Sequence, residues 1–208
     1  MNDHTVLEAR LRRTAINDDS PLPDISAAAA AAGVLDVAYA TLDTPVGLLL
    51  LAATPEGLVR LAYLDSEEQD TVLQQVAVRV SPRVLAAPRK LDGPRRELDE
   101  YFAGRRSTFA IELDWRLVSG FGRRVLDAAA RIPYGSISTY KQVAIEAGSP
   151  RGSRAAGNAL GANPLPIVVP CHRVLHSDGG LGGYTGGLER KRMLLALESG
   201  QQTLGGVV

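Results

Sequence analysis

Asn163-Pro164-Leu165-Pro166-Ile167-Val168-Val169-Pro170-Cys171-His172-Arg173-Val174 is the stretch on which the reading of this chain turns. It holds the only cysteine of 208 residues, after the apolar run Leu165 to Val169 (broken by Pro166) and before a histidine. A buried apolar run ending at a sulfur reads as a strand that delivers a side chain to a pocket. Free cysteine has a pKa of about 8.5 and is mostly thiol at neutral pH. A nucleophilic cysteine therefore needs a neighbouring base or a positive field, and His172 and Arg173 are candidates for both. The competing reading is a small packed hydrophobe. Two features oppose it: Pro170 fixes the backbone entering the cysteine, and His172-Arg173 interrupts the run where a core strand would continue.

The length allows one large or two small domains with ample core. Apolar content of 45% and charged content of 22% are ordinary for a globular protein. A single cysteine excludes an internal disulfide and fits a reducing compartment. No apolar run reaches the roughly 18 residues that span a bilayer. Glu8, Arg10, Arg12 and Arg13 interrupt any signal-peptide core, so a cytoplasmic protein with no membrane partner is expected. The net charge is zero, but residues 1–120 carry 13 Lys and Arg against 18 Asp and Glu, and residues 121–208 carry 10 against 5. That asymmetry hints at a polyanion partner for the C-terminal half.

Residues 1–36 read as an N-terminal extension: an amphipathic segment Val6–Leu11, a linker Asn17–Asp24, and alanines 27–32 between the cap candidates Ser26 and Gly33. Strands are expected over Val37–Leu42, Gly47–Ala53 and Leu58–Tyr63, with Thr54-Pro55-Glu56-Gly57 as a hairpin turn. Helices follow over about Glu67–Val78 and Gly93–Phe102, giving a small α/β domain over 37–118 without a catalytic constellation. A second domain, 119–204, opens with a helix that presents Phe121, Val125, Leu126 and Ala129 on one face. Thr139-Tyr140-Lys141-Gln142 reads as a capping box on a helix running to Gly148. Ser149-Pro150 reads as the cap and first residue of the next helix. Two short helices joined by a three- or four-residue turn make a helix-turn-helix. Gly157, inside the second, costs about 1 kcal/mol against alanine. That cost wants a reason, and close approach of another backbone, from a packed helix or nucleic acid, is one.

Pro170-Cys171-His172-Arg173-Val174 and its flanks strongly resemble the active-site signature of the O6-alkylguanine-DNA alkyltransferases, the methylated-DNA–protein-cysteine methyltransferases. The resemblance runs from about Phe121 to Glu198 and more weakly back to Val37. It implies an RNase H-like N-terminal α/β domain and a mainly helical C-terminal domain carrying the helix-turn-helix. The partner implied is double-stranded DNA containing O6-alkylguanine, bound by a monomer with room for cooperative assembly. No cofactor or metal is implied, and the chain has no cysteines for the zinc sites of some relatives. Gly122 and Leu126 replace the family's usual Gln and Trp, a departure in packing.

By the same resemblance the second helix enters the minor groove and Arg154 takes the place of the flipped nucleotide. Lys141, Ser149, Ala155, Gly157 and Leu160 lie along that DNA face. Cys171 is the nucleophile, His172 takes its proton through a water, and Glu198 orients His172 as the third member of a triad. Alone, Glu198 reads as a solvated helix residue near a Gly200 cap. Tyr140 corresponds to the proton donor for the leaving guanine and Asn163 to the hinge between recognition helix and active-site turn. Pro166 and Tyr184 flank the base, with Thr185 and Gly186 lining its pocket and Arg173, Val174 and Ser177 beside it. Thr185 stands where its hydroxyl or amide meets the damaged oxygen. The alkyl group would end as a thioether, one turnover per molecule, in direct reversal of damage. A papain-type cysteine hydrolase would draw its histidine from a distant position. A helix-turn-helix regulator leaves Pro170-Cys171 unexplained, and a non-enzymatic lesion binder replaces the cysteine.

Overall fold

The computed structural model describes Ala29 and residues 32–200. The segments Val6–Leu11 and Asn17–Asp24 lie outside the described residues. Where the alanine tract ends, Gly33 is left-handed (φ +67°) and the Val34 amide donates to the Ala29 carbonyl at 2.9 Å, a Schellman-type stop.

A four-stranded sheet forms first: β1 (Val37–Leu42), β2 (Leu49–Thr54), β3 (Gly57–Tyr63) and β4 (Val84–Ala86), in the order β3-β2-β1-β4. β1, β2 and β3 are antiparallel neighbours, and Thr54 faces Gly57 across the expected hairpin turn. β4 pairs parallel with β1 and has no sequence-based forecast, since three half-exposed residues show no period. Alternation divides the side chains. Val37, Leu50, Ala52, Val59 and Ala62 meet Val72 and Val76 of α1 (Gln69–Arg79). Ala40, Leu49, Leu51, Leu61 and Tyr63 face the other way, toward Leu98 and Tyr101 of α2 (Asp92–Phe102).

That second face continues without a break into the C-terminal half. The same buried cluster takes in Val125, Leu126 and Ala129 of α3 (Gly120–Ala130), Val143 of α4 (Tyr140–Glu146) and Leu160 of α5 (Ser153–Gly161). It reaches Cys171 and also Leu194 of α6 (Leu188–Glu198). The fold is therefore an N-terminal α/β layer and a C-terminal helical layer closed over a common core. No helix among the described residues is long and apolar enough to cross a membrane.

Four local expectations need correction. Leu165–Val169 is a tight turn, and a strand appears only afterwards, where β6 (Val174–Leu175) pairs with β5 (Ser138–Thr139). Pro164, Pro166 and Pro170 remove the donors a ladder would need. Asn163 supplies the missing partners instead: its Oδ1 accepts from the Leu165 amide and its Nδ2 donates to the Val169 carbonyl, both at 2.9 Å. Ile167, fully buried, is held at φ +73°, a costly conformation for a β-branched residue. The capping box is half formed: Thr139 Oγ1 accepts from the Gln142 amide at 3.1 Å, but the Gln142 side chain donates to Glu146. Ser149-Pro150 caps no helix. It sits in a turn closed by the Gly152 amide on the Ser149 carbonyl, with proline at the second position where its fixed φ suits. α5 starts only at Ser153, so the connection between α4 and α5 is the longer segment 147–152.

Candidate active site

A 3₁₀ turn, Cys171–Arg173, follows the proline-rich loop and buries all three side chains. The loop is anchored from the opposite half of the protein, where the Leu61 amide on the edge strand β3 donates to the Pro164 carbonyl at 2.8 Å. Cys171 is 5% exposed and forms part of the wall of a cavity of about 560 Å³, a volume suited to a small-molecule group. Tyr140, Arg154, Gly157, Leu160, Tyr184 and Thr185 line the same cavity. The Asn163 amide contacts Cys171 Sγ at 3.2 Å. Burial pushes the thiol up to about 11, against the Asn163 hydrogen bond and the nearby Lys191 charge. The resting sulfur is thus a neutral thiol, and any thiolate has to be made by handing the proton to a partner.

His172 is fully buried beside it. Its Nε2 lies 2.8 Å from Glu198 Oε1, whereas Nδ1 is buried without a protein partner. Glu198 collects donors from both halves of the protein. Oε1 also accepts from Tyr101 Oη at 2.7 Å and Arg173 Nη2 at 2.8 Å, and Oε2 accepts from Arg173 Nε at 2.8 Å. Burial would raise this carboxyl, but the His172 and Arg173 hydrogen bonds outweigh it and hold it at about 2. An ionised carboxylate can only accept, so the His172 proton sits on Nε2 and Nδ1 keeps its lone pair. Burial depresses the imidazole pKa, opposed by Glu198. At rest His172 is a neutral base with Nδ1 free to take a proton.

The structure brings Asn163 and Tyr140 to Cys171 and Glu198 to His172. Tyr140 is half-buried at the start of α4, its hydroxyl 3.4 Å from the Gly183 carbonyl, and its pKa is raised by burial and then by Cys171. Tyr184 and Thr185 sit on a glycine-rich loop over the cavity. The Thr185 hydroxyl donates to the Gly161 carbonyl at 2.9 Å, tying that loop to the end of α5. Gly157 meets no other backbone: a Cβ there would rest 3.7 Å from the Tyr140 ring, so the glycine leaves room at the cavity wall. Arg154, Ala155 and Lys141 are exposed, Ser149 is half-buried, and Ser177 lies in an exposed turn off the cavity wall. Pro166, Val174 and Gly186 are buried outside the cavity lining, and Arg173 points inward to Glu198 and the Ile132 carbonyl.

Sequence reasoning missed three contributors. Tyr101 and Tyr63 come from the N-terminal layer, Tyr101 to Glu198 and Tyr63 to the Tyr184 hydroxyl at 2.8 Å. Lys191, within the charged run Glu189–Arg192, is fully buried, its Nζ donating to the carbonyls of Val174 at 2.7 Å and of Leu181.

Comparison with known proteins supplies the family. Residues 37–115 match the ribonuclease-like domain of 6-O-methylguanine DNA methyltransferase and residues 120–200 match its DNA binding domain. A methylated-DNA–protein-cysteine methyltransferase of Mycolicibacterium paratuberculosis is 43% identical over 162 residues, covering 78% of this chain and 92% of that protein. The constitutive enzyme of Bacillus subtilis is 38% identical over 165 residues, covering 77% and 94%. Among solved structures, the Mycobacterium tuberculosis OGT in complex with DNA superposes with a TM-score of 0.67 at 38% identity, covering 79% of this chain and 94% of that one. With both halves matched in order, and the cysteine, imidazole and carboxylate assembled at their junction, this chain belongs to the 6-O-methylguanine DNA methyltransferase family.

Proposed function

We propose that this protein repairs DNA by direct reversal, moving the alkyl group of O6-alkylguanine onto Cys171. The observation that carries the reading is a lone cysteine in the wall of a cavity with room for an extruded base, backed by a histidine whose Nε2–H is fixed on Glu198 and whose Nδ1 is bare. DNA is the partner, as in the complex of the Mycobacterium tuberculosis relative. The protein works as a cytoplasmic monomer on double-stranded DNA and is able to pack cooperatively along it. Residues 37–118 serve as the scaffold domain and 119–204 as the DNA-binding and transfer domain.

The helix pair α4–α5 enters the minor groove, with Lys141, Ser149, Ala155 and Gly157 against the backbone and Arg154 filling the gap left by the extruded base. Extrusion costs a few kcal/mol, less at a weakened pair, which favours the damaged site. Within the cavity the base lies against Tyr184 and Leu160. The Thr185 amide serves the alkylated oxygen, since its hydroxyl is engaged with Gly161.

A water relays the Cys171 proton to His172 Nδ1, and the resulting imidazolium is stabilised through Nε2–H by the Glu198 carboxylate. The thiolate attacks the alkyl carbon, forming a C–S bond as the carbon–O6 bond breaks. The departing purine anion takes a proton from the Tyr140 phenol, which carries its proton at neutral pH as any tyrosine does. The thioether is not reversed, so each molecule acts once.

Duplex DNA carrying O6-methylguanine labelled in the methyl group tests this. Label should pass to protein and saturate at one equivalent, and Cys171→Ala should abolish transfer while still binding the duplex. Label retained on DNA with wild-type protein would sink the reading.

A further inference from the structure

We propose that Tyr63, on β3 of the N-terminal layer, is a positioning residue for the alkylguanine pocket: its hydroxyl holds Tyr184 against the cavity while Arg190 clamps its ring. The inference deepens the transfer function proposed above and rests on it.

The pocket loop from Leu181 to Gly187 contains four glycines, Gly182, Gly183, Gly186 and Gly187, and has little conformational preference of its own. Its shape must come from tethers. Thr185 on the Gly161 carbonyl, Lys191 on the Leu181 carbonyl and Tyr140 beside the Gly183 carbonyl hold parts of it; a further set, at Tyr184 and Gly186, leads to Tyr63. The two phenol oxygens lie 2.8 Å apart, with the rings edge to face at 6.2 Å. Gly186 is pressed so closely on Tyr63 that a Cβ would stand 2.6 Å from Cε2. Arg190, in the first turn of α6, places its guanidinium 4.6 Å from the centre of the Tyr63 ring and donates to the Gly186 carbonyl at 2.7 Å. It also donates to the Val46 carbonyl at 2.5 Å, the Asp65 carboxylate and the Ser66 hydroxyl, so the arginine itself is pinned to the sheet domain.

Tyr63 is 2% exposed and absent from the cavity lining, so it acts through Tyr184. Tyr184 lines the cavity beside Cys171 and meets the His172 ring edge-on at 6.4 Å. A displaced Tyr184 would leave the base free to rock away from in-line attack.

Tyr63→Phe keeps the ring beneath Arg190 and against Gly186 and removes only the oxygen. Tyr184→Phe removes the same bond from the loop side and serves if the first variant folds poorly. Three quantities decide: the methyl-transfer rate at saturating O6-methylguanine duplex, the duplex Kd, and amide hydrogen exchange across 182–187 in free protein. Positioning predicts a rate about 3- to 10-fold lower, the size of one lost hydrogen bond, with Kd unchanged and exchange faster in the loop than in α6. The double variant should be no slower than the slower single one. An unchanged rate, unchanged loop exchange, or losses that multiply in the double variant would overturn the proposal. Wild-type protein that accepts no methyl group would instead overturn the transfer function, with loop exchange still deciding whether Tyr63 holds the loop.

Discussion

Glu198 is the residue on which most of the site's polar order converges. It takes hydrogen bonds from His172, Arg173 and Tyr101 and is held at about 2. A folded-state pKa below the unfolded one gives stability that is complete above the ordinary carboxylate value and lost as pH falls toward the folded value. Wild-type protein should therefore lose roughly 3 kcal/mol of unfolding free energy between about pH 5 and pH 2 from this group alone. Glu198→Gln should flatten that part of a urea-denaturation series and, by removing the anion that stabilises the imidazolium, slow methyl transfer about 100-fold or more. Retention of wild-type rate would take Glu198 out of the proton relay. Tyr101→Phe leaves the carboxylate with Arg173 and His172, so a stability loss of about 1–3 kcal/mol with transfer reduced by less than tenfold is expected. Denaturation and single-turnover rates on the same preparation check both halves. The Cys171–His172 pair was legible from residue order, and Glu198 only through resemblance. Tyr101 was not legible, because a tyrosine in an amphipathic helix looks the same packed or hydrogen-bonded.

At the scale of elements, strand alternation and the Thr54–Gly57 turn place three of the sheet's four strands to within two residues, since side-chain period and turn chemistry are local properties. The proline-rich loop misleads because its apolar content mimics a strand. Asn163 is what decides its shape, by acting as a substitute backbone partner six residues away from Val169. Asn163→Ala should orphan the Leu165 amide and take one of two donors from the Val169 carbonyl, which keeps the Cys171 amide. It is expected to cost about 2–4 kcal/mol of stability and to slow transfer by freeing Cys171, as read by thermal denaturation and single-turnover rates. α5 bears a different kind of test. Arg154 is exposed on it at the cavity, so Arg154→Ala should reduce repair of duplex DNA far more than reaction with the free alkylated base. Equal losses on both substrates would remove Arg154 from base extrusion.

For the molecule as a whole, one buried cluster runs from the sheet through α3 to α6. The N-terminal layer also bonds directly to the Pro164 carbonyl, Glu198 and Tyr184. Composition and charge separate two halves but carry no information on contacts between them, so the N-terminal half reads from sequence as a bystander. A common core predicts joint unfolding. Trp115, the only tryptophan, stacks beneath Arg123 of α3 at 4.1 Å, so its fluorescence reports on the junction. Its urea transition should coincide with that of far-ultraviolet circular dichroism, and separate midpoints would mean the halves unfold independently. The most direct measurement of the central claim is peptide mass spectrometry after incubation with excess O6-methylguanine duplex. A single methyl group on Cys171, at one equivalent per molecule, is the predicted result. Methyl groups on another residue, or repaired DNA in excess of protein with Cys171 unmodified, would contradict it.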